Sequence, residues 1–250
     1  MRTLNRFFLF CALAGLCSCA STYKDLDTAL SNAAEVTELN LSNEKLTELS
    51  PRITGLTNLK TLNLFGNHLT KLPPEIGQLK NLERLILSSN ALQSLPPEIG
   101  ELTNLKELVV QFNDLRTVPV EIGKLTNLEL LKLDNNKLDS LPVEIGQLAN
   151  LEYLSVERNY LTSIPHEIGN LRWLQYLYIG KNQLNELPAE LGNLKSLVEL
   201  NIAHSGMLRA PDSICDIPRL DVVYADMHTL LPYCLMQTAG SGFRLRLVRP

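Results

Sequence analysis

The sequence predicts an α/β solenoid of about nine coils, with a parallel concave β-sheet along one side and short helical or 3₁₀ return limbs along the other. Three observations carry that prediction. Asn67, Asn90, Asn113, Asn136, Asn159 and Asn182 recur every 23 residues. Pro73, Pro96, Pro119, Pro142, Pro165, Pro188 and Pro211 keep the same period. Inward slots form apolar columns in phase with both: Leu39, Leu62, Leu85, Leu108, Leu131, Leu154, Leu177, Leu200 and Val223 in one, and Leu41, Leu64, Leu87, Val110, Leu133, Val156, Ile179 and Ile202 in the next. A unit of this length cannot bury its apolar face alone, so neighbours must stack, and function is to be sought on the surface of the stack.

The chain opens with a segment outside the fold. Arg2 and Arg6 flank the start, and Phe7 to Leu16 is an apolar run too short to span a bilayer but right for a signal peptide. Residues 1–18 are expected to be that signal, and residues 19–35 an anchor and N-terminal cap, because Leu26, Ala29, Leu30 and Ala33 share one helical face. Residues 36–232 hold the repeats. In the cleanest coil, Leu59 to Asn81, Leu62 and Leu64 alternate with Thr61, Asn63 and Phe65 in the period-two pattern of a short strand. Asn67 ends that strand, and its side-chain amide can bond the backbone of its own turn and of the next coil where water cannot enter. Leu69 and Leu72 continue the core, Pro73 stops ladder pairing, and Glu75, Ile76, Gly77 and Leu79 make the return limb.

Both ends depart from the period. Glu44 and Ser205 stand in the Asn slot, Arg52 and Thr54 replace the Glu and Gly of the limb, and the pattern fades beyond Leu220. Terminal coils of a solenoid must face water, so atypical ends are what the architecture needs. Residues 233–250 form a C-terminal cap or tail in which Arg244, Arg246 and Arg249 alternate with apolar residues. Such a tail could touch acidic lipid, or it could be a frayed or edge-pairing chain end.

The run from Leu72 to Asn90, LPPEIGQLKNLERLILSSN, fits the phrase LPxEIGxLxNLxxLxLxxN. It resembles the leucine-rich repeat family, and within it the 23-residue class of Ras-suppressor-like and many bacterial repeats; the resemblance runs roughly from Val36 to Pro232. It implies a non-catalytic protein-binding module. Separately, Leu16-Cys17-Ser18-Cys19 resembles a bacterial lipobox, with Leu three residues before the final Cys and a small Ser just before it. That resemblance implies cleavage before Cys19, lipidation there and membrane anchoring at a bacterial envelope; the plainer alternative is an ordinary signal peptide cut nearby. Ala20 lacks the acidic character that holds some such proteins at the inner membrane, so the outer membrane is expected, with either its periplasmic or its surface side open.

Of five Cys, Cys11 and Cys17 leave with the signal and Cys19 would carry lipid, which leaves Cys215 and Cys234 in the mature chain. A bridge between them requires the C-terminal cap to fold back; otherwise they are two small buried hydrophobes. The chain carries 23 Lys and Arg against 27 Asp and Glu, and 21 against 27 (net −6) once Arg2 and Arg6 are removed. Nucleic acid is bound through a strongly positive surface, so it is excluded as a partner. None of His68, His166, His204 and His228 stands in a metal-ligand spacing, and no phosphate loop or nucleophile elbow occurs. About eighteen residues follow Pro232, too few for an appended catalytic domain. No catalytic residue, metal or cofactor is expected.

The functional argument therefore rests on outward strand slots, which stack about 5 Å apart as columns. One column reads Glu38, Thr61, Arg84, Glu107, Leu130, Tyr153, Tyr176, Glu199; the other reads Asn40, Asn63, Ile86, Val109, Lys132, Ser155, Tyr178, Asn201. Ile86, Val109, Phe112, Leu130, Tyr153, Tyr176 and Tyr178 are expected to line one concave patch rimmed by Arg84, Glu107, Lys132, Asp134, Glu157, Arg158 and Lys181. Tyrosines inside a charged rim have the composition of a protein-binding hot spot. Strand propensity and stacking would also place aromatic residues there, but outward slots have no core to fill. The expected activity is binding of a protein or glycoprotein on this face by a monomer. A scaffold role in envelope assembly is the alternative, and a second apolar patch on the return limbs would favour it; Gln78, Lys80, Glu101 and Lys124 there are polar.

Overall fold

A computed structural model describes residues 22–236 and 244–247; the expected signal segment, Cys19 and Arg249 lie outside them. Ten strands run parallel and in chain order: β1 (Glu38–Asn40), β2 (Thr61–Asn63), β3 (Arg84–Ile86), β4 (Glu107–Val109), β5 (Leu130–Lys132), β6 (Tyr153–Ser155), β7 (Tyr176–Tyr178), β8 (Glu199–Asn201), β9 (Val222–Ala225) and β10 (Arg244–Leu247). From β1 to β9 each strand pairs with the residues one period on, so that Leu62 lies beside Leu85 and Leu85 beside Leu108. The tenth strand is outside the period. It is the C-terminal tail laid parallel on the edge of β9, with Leu245 beside Val223. An edge strand leaves a row of unpaired backbone groups, and β10 covers that of β9.

On the opposite side, 3₁₀ limbs return the chain, from Pro51–Gly55 through Pro74–Gln78 and Val120–Lys124 to Asp212–Asp216. The periodic prolines stand just before the second to eighth limbs, with φ between −62° and −75°. Fixed φ and a missing N–H suit that junction, where the ladder ends and the first limb amides need no partner behind them. Glycine in the limb has a steric cause: a Cβ on Gly123 would stand 2.8 Å from both the carbonyl oxygen and the Cβ of Glu144 in the following limb.

Between sheet and limbs lies one continuous core. The inward columns from Leu39 to Val223 and from Leu41 to Ile202 are buried along their whole length. So are Ile76, Ile99, Ile122, Ile145 and Ile168 from the limbs. The N-terminal end is closed by helix α1 (Leu26–Ser31), which Asp25 caps by accepting from the Thr28 N–H at 2.7 Å. Ala29 of α1 is buried, and Leu26, Leu30 and Ala33 pack on the core. At the other end helix α2 (Tyr233–Met236) packs back toward the last limb, where a disulfide joins Cys215 to Cys234 with a Cα–Cα distance of 6.1 Å.

The asparagines form a ladder inside the stack, running backward and not to the next coil as expected. Asn136 donates to Val110 O at 2.9 Å and Leu133 O at 2.9 Å, and accepts from Leu115 N at 3.1 Å. Val110 and Leu115 belong to the preceding coil. The direction follows from the backbone: past each strand, N–H groups such as those of Leu87 and Val110 donate to carbonyls of the following coil, and the carbonyls of Leu87 and Val110 in turn accept from Asn113 and Asn136 of that coil. The ladder stops at Ser205, whose buried hydroxyl has no partner among the described residues.

Candidate functional site

The coils of β1 to β8 each present to the sheet face their outward strand residues and then a residue of left-handed backbone. Asn43, Gly66, Ser89, Phe112, Asn135, Arg158, Lys181 and His204 recur at the 23-residue period with φ between 54° and 69°. Glycine is the natural occupant of such a position, and a bulky side chain there carries strain of about 1–2 kcal/mol. Phe112 is therefore held in an unfavourable backbone state, and the residue is 56% exposed. It projects beyond β4 and is not one of the strand's outward residues.

The other patch residues predicted from the sequence, Ile86, Val109, Leu130, Tyr153, Tyr176 and Tyr178, are half-buried outward residues of β3 to β7. They form two groups. Ile86 pairs with Val109, which is followed across the sheet by Lys132. Leu130 pairs with Tyr153, and Tyr153 with Tyr176. The rings of Tyr153 and Tyr176 are 5.9 Å apart, those of Tyr153 and Tyr178 5.3 Å apart, and both pairs are tilted. Lys132 Nζ lies 5.0 Å from the Tyr153 centroid, within reach of a cation–π contact.

The charges around these rings divide the face. Toward the N-terminus they neutralise one another: Lys60 and Lys106 both pair with Glu83, and Arg84 clamps Glu107 through Nε at 2.7 Å and an outer guanidinium nitrogen at 2.8 Å. Bonding to Lys106 holds the Glu83 carboxyl below its ordinary range. Around the tyrosines the balance is acidic. The Tyr178 hydroxyl donates to Glu199 Oε1 at 2.6 Å. Burial first, and then the charges of Asp134, Glu157 and Glu199, push the Tyr153 hydroxyl up; burial, then Glu199 and Glu152, do the same to Tyr176.

Asp134 is buried and not on the rim. It accepts from the Ser155 hydroxyl, from the Gln111 side-chain amide and from Glu157 N at 3.0 Å, bonds that replace its lost hydration. Glu157 stands beside it. Burial and the Asp134 charge raise its carboxyl above the ordinary range, against Lys181 and Arg158. The Glu157 carboxylate crosses a whole coil to accept from Asn201 Nδ2 at 2.9 Å. The coil it crosses has Gly180 in the equivalent slot, where a Cβ would stand 2.6 Å from Ala203 O.

Among the described residues no three His, Cys, Asp or Glu come together to hold a metal, and no helix is long and apolar enough to cross a membrane. Sequence reasoning missed two features, of which only the second, one residue type at one spacing, could have been read from the period. One is the left-handed column. The other is a second asparagine series, in which Asn81, Asn104 and Asn127 donate to Thr57, Lys80 and Thr103 carbonyls of the preceding coil at 2.8–2.9 Å.

Three family models agree with this geometry: a leucine-rich repeat region over residues 110–183, and leucine-rich repeats over residues 57–115 and 173–194. No curated protein matches the chain. A leucine-rich repeat protein of Leptospira interrogans is similar at 37% identity and a TM-score of 0.72, over 83% of this chain and 59% of that one. The present chain thus spans less than two thirds of that relative's length. The leucine-rich repeat ectodomain of a plant membrane receptor kinase from Arabidopsis thaliana, solved with Casparian strip integrity factor 2, is 32% identical with a TM-score of 0.75, over 90% of this chain and 29% of that one. Internalin C2 of Listeria monocytogenes shares the fold at 23% identity and a TM-score of 0.69, over 78% of this chain and 83% of that one. This fold typically serves as a scaffold for binding proteins and is generally non-enzymatic. Its coils, its sequential parallel sheet and these matches show that the chain belongs to the leucine-rich repeat family.

Proposed function

We propose that this is an exported lipoprotein, anchored through Cys19 to a bacterial outer membrane, whose sheet face binds a protein or glycoprotein as a monomer. The observation that carries the binding reading is the contact of Tyr153, Tyr176 and Tyr178 on an outward face, where aromatic area has no core to fill. Strained, exposed Phe112 on the same side supports it. The anchor rests on the lipobox-like Leu16 to Cys19 and on the preceding apolar run.

A scaffold role through the opposite face has one observation in its favour. Val120 and Val143, on successive limbs, are 53% and 50% exposed, and Trp173 is 60% exposed. A photo-crosslinking residue at Tyr176, Lys124 or Val143 of the full chain in cells separates the two readings. Adducts from Tyr176 and none from Lys124 or Val143 are expected; adducts from Val143 alone would replace binding on the sheet face by the scaffold. Intact mass of the mature N-terminus, with Cys19→Ala as the unanchored control, tests the lipid, and an unmodified Cys19 ends the lipoprotein reading.

A further inference from the structure

The chemistry that the sheet face selects can be read from the tyrosine cluster, and this inference rests on the reading of that face as a binding surface. Tilted rings in contact present negative π-faces, and the charges acting on their hydroxyls are carboxylates. Glu199 holds the Tyr178 hydroxyl, Glu157 reaches across Gly180, and buried Asp134 lies beneath. The slot between Lys132 and Tyr178 holds only Ser155, which is buried and whose hydroxyl is turned to Asp134, so a short side chain there leaves the rings of Tyr153 and Tyr178 to meet over it. A cation already lies against this cluster: Lys132 Nζ, 5.0 Å from the Tyr153 ring centroid. Arg158 and Lys181 offset part of the Glu157 charge but are exposed, where water screens them.

We infer that this cluster takes the side-chain cation of a protein partner, an exposed arginine or lysine, against the rings of Tyr153 and Tyr178, with Glu157 and Glu199 as counter-charges and Lys132 as the cation it displaces. A desolvated cation over aromatic faces gains from the ring quadrupole as well as from the carboxylates, which a neutral ligand does not. Lys132 then acts as an internal competitor, shielding the rings until a better-placed cation arrives.

The test is selection from a displayed library of random short peptides on the full chain in detergent, followed by titration of the synthesised winner. An arginine or lysine should be enriched at one fixed position. Replacing that arginine by citrulline, which keeps the shape and loses the charge, should cost at least about tenfold in affinity, as should the combined Tyr153→Ala, Tyr176→Ala, Tyr178→Ala change. The corresponding triple change to Phe keeps the rings and should stay within about threefold, while Lys132→Gln should tighten binding about two- to threefold. Winners that need the tyrosines but carry no cation overturn the cation assignment and leave the surface reading standing. Winners indifferent to the tyrosines, or no enriched sequence at all, overturn both. The citrulline arm alters no residue of the protein, so the charge is read even if the triple Ala variant melts early.

Discussion

At the scale of single residues, the interior depends on amides that water cannot replace. Asn136 is buried, donates to three carbonyls (Val110, Leu133 and Asp134) and accepts from Leu115 N. Asn136→Ala leaves those groups unpaired in a dry stack and should cost about 2–3 kcal/mol in urea unfolding. Asn135 beside it, half-buried, is the comparison site. Its φ is 55°, so Asn135→Ala should cost about 1 kcal/mol through backbone strain alone. Equal costs at the two sites would mean that the ladder does not hold the coils together. The buried ladder was legible because one residue type repeats at one spacing. The left-handed column was not, because Gly66, Ser89, Phe112, Asn135, Arg158, Lys181 and His204 have no side-chain chemistry in common, only a backbone state that the following turn imposes.

At the scale of elements, strands and limbs have different tolerances. The first outward slot varies freely, from Thr61 to Tyr153 and Glu199, because the middle residue of each of these strands carries the burial toward the core. Limbs stack so closely that the Gly slot has no room. Gly123→Ala, with an ordinary negative φ and a Cβ 2.8 Å from Glu144 backbone and side chain, should overpack two adjacent limbs and cost about 2–3 kcal/mol in urea unfolding. A neutral outcome would mean that the limbs can spread without disturbing the sheet. The limbs were readable from Pro, Glu and Gly in phase. The burial of Asp134 was not: strand alternation places it outward, and only Ser155, Gln111 and the Glu157 amide converging from neighbouring coils turn it into an interior group. Likewise β10 follows no period, and its pairing is set by the free edge of β9.

At the scale of the molecule, the backbone ladder and the limbs join each coil to its neighbours, with the Glu157–Asn201 bond reaching one coil further, so stability accumulates along the stack and opening begins at its ends. The N-terminal end is held by α1 packing on the first coils. The C-terminal end has already lost its Asn, at Ser205, and is closed by α2 and the Cys215–Cys234 bridge, with a sequence separation of 19 residues. A loop of that size stabilises by about 3 kcal/mol through the entropy it removes from the unfolded chain. In a stack of nearest-neighbour contacts that gain belongs to the last coils and does not spread to the centre. Cys215→Ser with Cys234→Ser should therefore speed hydrogen exchange of the Ile202 amide, bonded to Tyr224 O, by about two orders of magnitude. The Val110 amide, bonded to Lys132 O in the middle of the stack, should keep its rate. Equal acceleration at both amides would show the whole solenoid opening as one cooperative unit, and the tyrosines of β6 and β7 would then share the stability of the distant cap instead of standing apart from it.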